Sequence, residues 1–178
     1  MKRDVLLLVA TLIVGALVSL SMAQVSCPEP YILIGNTTCL YIPLDQKLAW
    51  DDAKDYCITH SPPGYAADLA EFLECDVMSS LWNYIAYNLH KRTNYWIGGS
   101  DSAKEGTWKW VNYDTDVPMG VPFWFTGQPD GGTLENRLTV SENGYFGDGL
   151  ETQQYNFICK LFNLTTSSVN FSISIPEN

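Results

Sequence analysis

Behind Met1-Lys2-Arg3 the chain opens on an uncharged, mostly apolar run from Val5 to Leu20, followed by Ser21-Met22-Ala23. A basic start, an apolar middle and small residues before a break form the layout of a secretory signal peptide. The rival is an uncleaved anchor. A span needs about 20 apolar residues, and this run is shorter and ends in small and polar positions, so the reading is cleavage after Ala23.

Beyond it, residues 31–42 (YILIGNTTCLYI) show two short apolar stretches around Gly35-Asn36, which predicts a hairpin. In Leu48 to Cys57 the apolar positions Ala49, Ala53, Tyr56 and Cys57 recur at helical spacing, with Asp45 as the expected N-cap. Ser61-Pro62-Pro63-Gly64 breaks the chain. A second helix is predicted from Glu74 to His90, because Val77, Leu81, Tyr84, Ile85, Asn88 and Leu89 share one face. The texture then changes. Tyr95 to Gly98 and Thr107 to Val111 read as short aromatic strands, Pro118 to Gly149 as a long Gly- and Pro-rich loop, and Tyr155 to Leu161 as a closing strand. A loop of that length inside a domain is usually functional. In the tail, Val169, Phe171, Ile173 and Ile175 alternate with polar residues at the period of a half-buried strand. The tail reads either as a strand that pairs with another sheet edge or as a glycosylated, poorly ordered end, and the second reading is preferred. The expected organisation is a signal peptide over 1–23, one domain over 24–161 and a tail over 162–178.

Composition narrows the function. The 178 residues are 46% hydrophobic and 13% aromatic, which supports a packed core and excludes intrinsic disorder. The net charge is −10, and loss of Lys2, Arg3 and Asp4 with the leader takes it to −11. Nucleic acid is an improbable partner for so acidic a chain. The two histidines, His60 and His90, lie near predicted helix ends, and no G-x-S-x-G, H-E-x-x-H or P-loop pattern occurs, so no enzyme is expected. A secreted chain has access to disulfides. Five cysteines (Cys27, Cys39, Cys57, Cys75 and Cys159) leave at least one without an intrachain partner. Sequons at Asn36, Asn163 and Asn170 are candidate glycosylation sites on a secreted protein.

Several motifs then fall in a shared order. Trp50-Asp51-Asp52-Ala53 leads to Tyr56-Cys57. Ala67-Asp68-Leu69-Ala70, Tyr95-Trp96-Ile97-Gly98 and Glu105-Gly106-Thr107-Trp108-Lys109-Trp110 come next, then Trp124 with Gln128-Pro129-Asp130, and finally Phe157-Ile158-Cys159. From Cys27 to about Lys160 the chain resembles a secreted C-type lectin domain. The resemblance implies an α+β fold with two helices, small antiparallel sheets and a long loop region that carries calcium and sugar. It implies a Cys57–Cys159 bridge and, for the longer form of the domain, Cys27–Cys39. The family's second bridge, across the long loop, falls on Arg137 and Glu151; both are non-cysteine, and an ion pair is expected in its place. Cys75 has no family partner. It reads as a buried free thiol or as a bridge between chains, with the first preferred.

Calcium takes six to eight oxygen ligands. By the resemblance, Gln128, Asp130, Glu135 and Asp148 match the principal calcium and sugar site, with Pro129 in cis. Two sugar hydroxyls would complete the ion's shell while exchanging hydrogen bonds with the same side chains. The Gln-Pro-Asp order is associated with galactose-type sugars in the family. An aromatic face for the sugar is expected among Phe123, Phe125, Tyr145 and Phe146, with Trp124 in the core. Two departures weaken the match. Gly147 replaces the asparagine of the family's Trp-Asn-Asp motif, here Phe146-Gly147-Asp148, and the loop from Asp130 to Glu135 is one residue short. A second calcium site would use Asp101 and Glu105, but Gly131 stands where that site often has an acid. The function implied is a secreted, calcium-dependent lectin for galactose-type or microbial-surface glycans, as in invertebrate immune recognition. Weak single sites favour a homo-oligomer. The alternative is a calcium-independent, lectin-like module that binds a protein.

Overall fold

A computed structural model describes residues 26–162. The leader and the alternating tail, with the sequons at Asn163 and Asn170, lie outside the described residues. Among the described residues, ten strands form two largely antiparallel sheets, and two α-helices pack on them. β1 (Ile32–Ile34) and β2 (Thr38–Tyr41) make the expected hairpin, turned by Gly35 and Asn36, both at positive φ. They join β10 (Cys159–Phe162) and β3 (Ala66–Leu69) in the order β1-β2-β10-β3. β10 runs through Phe162, one residue past the expected end of the domain. The second sheet follows the order β6-β5-β4-β7-β8: β6 (Thr115–Asp116), β5 (Lys109–Trp110), β4 (Tyr95–Ser100), β7 (Arg137–Val140) and β8 (Phe146–Gly149). β9 (Asn156–Phe157) pairs parallel with β4.

Every residue of β4 is buried. Successive side chains of a strand point to opposite faces, so Tyr95 and Ile97 enter one apolar cluster and Trp96 the other. The first cluster packs the second sheet against the second helix; the second gathers Trp50, Cys57, Phe157 and Cys159 under the first helix.

Helix α1 (Trp50–Thr59) begins two residues later than the pattern predicts, and Asp45 does not cap it. Leu48 is held extended by a reciprocal backbone pair with Tyr155, so Ala49 takes the cap position. The Trp50 N–H donates instead to the Glu151 carbonyl (3.0 Å). Asp51 and Asp52 complement the positive end of the helix. Helix α2 (Cys75–Asn83) presents Val77, Met78 and Leu81 to the core. It continues as a π-helical segment, Tyr84–Leu89, and stops at His90 in the left-handed region, as the predicted span required.

Both expected bridges form, Cys27–Cys39 and Cys57–Cys159, the latter joining positions 102 residues apart. Cys75 corrects the expectation. It is exposed and forms no bridge among the described residues, because it opens α2 on the side away from Val77 and Leu81. A second correction concerns Pro118 to Gly149. Its latter half is not loop but the β7–β8 hairpin, turned at Gly144, whose positive φ and contact with the Trp82 ring both exclude a Cβ.

Candidate functional site

β8 reads Phe-Gly-Asp-Gly, a poor strand former by propensity. It is a strand because β7 imposes a register, Leu138 opposite Asp148 and Thr139 opposite Gly147, and the Thr139 hydroxyl donates to the Gly147 carbonyl (2.9 Å). Phe146 is fully buried against Trp110, Trp124 and Phe123. Its backbone is stitched on the other side to the incoming loop, with Phe146 N–H to the Phe123 carbonyl (2.7 Å) and Phe125 N–H to the Phe146 carbonyl (3.0 Å). Trp124 takes its expected place in the core, and its indole N–H donates to the Pro118 carbonyl. This stitching carries Gln128, cis-Pro129 and Asp130 to the edge of β8 beside Asp148. A short 3-10 turn, Gly132–Leu134, then returns the chain, so that Glu135 lies back over Gly131. A Cβ at residue 131 would fall 2.3 Å from Glu135 Cβ. The glycine is therefore what lets Glu135 turn toward the two aspartates, and an acid at 131 has no room.

Asp130, Glu135 and Asp148 converge: one carboxylate oxygen from each lies within 4.8 Å of the others. Among the described residues none of the three has a Lys, Arg or His within ion-pair distance. Asp130 is exposed and the other two are half-buried. Partial burial, and then the neighbouring charges of Asp148 and Asp130, push the Glu135 carboxyl above its ordinary pKa. The Asp148 carboxylate also accepts the backbone N–H groups of Asp130 (3.1 and 3.2 Å) and Gly131 (2.8 Å), which fixes the loop to the sheet.

Gln128 sits differently. Its Nε2 donates to Asp130 Oδ1 (2.5 Å), and its Oε1 accepts the Asp148 N–H (3.0 Å), so its carbonyl faces β8 and not the carboxylates. A Cβ at Gly147 would stand 3.2 Å from that Oε1, tighter than ordinary contact. The residue that departs from the family motif is thus the one over which the Gln128 amide closes.

Such a cluster of hard oxygens, anionic and without a protein counter-ion, suits a divalent cation such as calcium. The donor set fits in number only in part. Three carboxylates are in place; Gln128 becomes an oxygen donor toward them after rotation of its amide; Gly147 offers no side-chain oxygen. Asp101 and Glu105 stay outside this cluster. Asp101 is buried, accepts the Gly106 N–H through Oδ2 (2.9 Å) and leaves Oδ1 without a partner among the described residues. Burial, more than any other cause, raises its pKa. Glu105 is exposed.

The expected ion pair at the lost bridge is present, Arg137 Nη2 to Glu151 Oε2 at 3.2 Å. The structure adds what the sequence did not show: the same guanidinium lies 4.3 Å over the Trp50 ring, donates to Ser100 and Ser102, and stands 3.7 Å from Asp51. The motif order placed Trp50 in the first helix, but nothing in the pattern tied it to residue 137.

Comparison with known proteins agrees with this architecture. The perlucin-like protein of Mytilus galloprovincialis is 27% identical over 137 residues, covering 77% of this chain and 78% of that protein. The C-type lectin mannose-binding isoform of Oxyuranus scutellatus is 28% identical over 160 residues, covering 87% of this chain and 96% of that protein. Among solved structures, the C-type lectin CEL-I from Cucumaria echinata superposes with a TM-score of 0.65 at 23% identity, covering 78% of this chain and 99% of that one, a likeness of fold. Two of these three are named as C-type lectins. Residues 46–161 match the profile of the family described as the lectin C-type domain, and the chain belongs to that family.

Proposed function

We propose that this protein is a secreted, calcium-dependent lectin whose glycan site is built on Asp130, Glu135, Asp148 and Gln128. The observation that carries the reading is the convergence of three carboxylates from two separated stretches, with no cationic side chain among the described residues to neutralise them. When bound, calcium would offer coordination positions to neighbouring sugar hydroxyls. Asp130 and Asp148 accept hydrogen bonds from hydroxyls held there, and the Gln128 amide donates or accepts according to its rotation. An amide at 128 and a carboxylate at 130 favour galactose-type geometry. Among the four expected aromatics, Phe125 and Tyr145 are exposed and near the site, whereas Phe146 is sealed in the core and Phe123 is packed against it.

The leader pattern supports secretion. No helix among the described residues is long and apolar enough to cross a membrane. Asn36 lies exposed in the first hairpin turn, where a glycan fits. The exposed Cys75 thiol supports a covalent homo-oligomer, and several linked sites would raise avidity on microbial or cell-surface glycans.

A second reading has its own support. Asp148 is already satisfied by two backbone N–H groups, and Gly147 lacks the family oxygen, an arrangement that suits a calcium-independent module binding a protein. Calorimetry with methyl β-galactoside, in calcium and again in chelator, separates the two. The lectin reading expects a binding heat that chelator abolishes. Binding that survives chelator, or none in calcium, overturns it.

A further inference from the structure

In β5, Trp110 turns into the core, so its neighbours Lys109 and Val111 share the outer face of the sheet. Val111 is 42% exposed there. A pocket of about 410 Å³ lies over these two side chains, between the head of α1 and the turn that follows β4. Trp50 and Arg137 belong to one wall, and Ser102, Lys104 and Thr107 bring the turn to it. None of the three converging carboxylates lines it. The volume is within the roughly 300–1,000 Å³ range of small-molecule sites.

The turn is folded in advance of any ligand. The Lys104 N–H donates to the Asp101 carbonyl (2.9 Å), the Thr107 N–H to the Lys104 carbonyl (2.9 Å) and the Gly106 N–H to Asp101 Oδ2 (2.9 Å). Its side chains keep donors to give. The Ser102 hydroxyl accepts from Ser100 (3.0 Å) and from Arg137 Nη1 (3.1 Å), which leaves its own proton free. Among the described residues, Lys104 has no acid within ion-pair distance.

Charge selects the occupant. The chain carries −10, and eight Lys and Arg follow the leader, ten less Lys2 and Arg3. Three of them, Lys104, Lys109 and Arg137, meet on this pocket, against one acid on its wall, the exposed Asp114. Arg137 is engaged by Glu151 (3.2 Å) and, at 3.7 Å, by Asp51. Lys109 meets Asp116 (2.7 Å), a surface pair of the weak kind that yields to a competing anion. A cationic ligand would be repelled by these groups. A neutral saccharide would find no open ring to stack on, since Trp50 is 3% exposed beneath the Arg137 guanidinium. A wholly apolar ligand would strip water from Lys104 and the hydroxyls and return nothing. Val111, Ala103 and the lysine stems still offer apolar contact around the donors.

We infer that this pocket binds a carboxylate carried on a small apolar body, without calcium and apart from the carboxylate cluster. Such a group is supplied either by a free organic acid or by an acidic side chain set between apolar residues of a peptide. The inference does not rest on the lectin reading.

The test is calorimetry on the full chain, in chelator and low salt, with two acids and their neutral amides. One pair is 4-phenylbutyrate and 4-phenylbutyramide; the other is the blocked peptide acetyl-Leu-Glu-Leu-amide and its Gln counterpart. At least one acid should bind with a Kd of about 1 mM or tighter, and which one does so identifies the source. Its amide should bind roughly tenfold more weakly, the size of one charge-assisted hydrogen bond. Lys104→Glu, at an exposed turn position, should weaken the acid by roughly tenfold or more while the urea midpoint stays at the wild-type value. No binding of either acid up to about 10 mM overturns the inference. An amide that binds as well as its acid, or affinity that Lys104→Glu leaves unchanged, overturns it too. Because the titration runs in chelator, failure of the lectin reading is scored separately.

Discussion

Around α1 and the four-stranded sheet, two disulfides and a sealed aromatic cluster fix the chain. Between Pro118 and Glu151 no covalent link is present, and the backbone is held by its own hydrogen bonds to β8, by Asp148 on the N–H groups of Asp130 and Gly131, and by Arg137. The carboxylate site proposed to bind calcium stands on this second side. The contrast shows how the loop can lose a family bridge and keep its shape. Arg137 replaces one covalent bond with several weak contacts, on Trp50, Ser100, Ser102 and Glu151. Bonds of that kind respond to pH, salt and ions, and a disulfide does not.

The largest expected effect is on the covalent side. Cys57→Ala/Cys159→Ala opens a loop of 102 residues and should lower unfolding stability by about 4–5 kcal/mol in the chain-entropy model. Urea unfolding measures it, and a loss under about 1 kcal/mol would show that the aromatic cluster alone suffices.

Next comes the link between the regions. Glu71, buried after β3, accepts the N–H groups of Asn112 and Tyr113 in the β5–β6 turn, while Lys160 Nζ donates to the Glu71 carbonyl. Burial pushes its carboxyl up to about 7, against the lowering by those two N–H groups. The folded state then holds a proton that the unfolded chain releases near its ordinary pKa of 4.5. This contribution to stability is full below that value and is lost as pH rises to about 7, by at most about 3 kcal/mol. Glu71→Gln should flatten the dependence of stability on pH over that window; an unchanged slope assigns it to other groups.

Gly99→Ala probes how tightly the sheet sets the site. Its Cβ would lie 2.5 Å from Leu138 Cδ2, and Leu138 is the register partner of Asp148. Overpacking of this kind costs roughly 1–3 kcal/mol, and calcium affinity should fall with stability. Lost stability with unchanged affinity would separate the loop from the core. The smallest effect belongs to Glu151→Gln. Removing this half-exposed partner of Arg137 should cost about 0–1 kcal/mol, and less at high salt. A larger, salt-insensitive loss would mean that the pair acts as a full substitute for the bridge.

Much of this was legible in the sequence. The hairpin at Gly35-Asn36, both helices, both bridges, the buried Trp124 and the Arg137–Glu151 pair were anticipated, because local turn chemistry, helical spacing and motif order carry them. What escaped depends on partners distant in sequence. β8 is a strand only through its register with β7, since Gly147 and Gly149 erase its own signal. Asp45 loses the cap because Tyr155 holds Leu48 extended. Cys75 faces solvent because Val77, Met78 and Leu81 claim the inner face of α2. At the site, the positions of the three carboxylates were readable, whereas the orientation of the Gln128 amide depends on a backbone N–H twenty residues away in β8.

The central claim is that the carboxylates of Asp130, Glu135 and Asp148 together hold one divalent ion. Calcium titration by calorimetry, on the wild type and on Glu135→Gln, tests it most directly. The account predicts one calcium per chain and at least a tenfold weaker Kd in the variant, about 1.4 kcal/mol or more. No calcium uptake by the wild type, or uptake that the variant leaves unchanged, would contradict it.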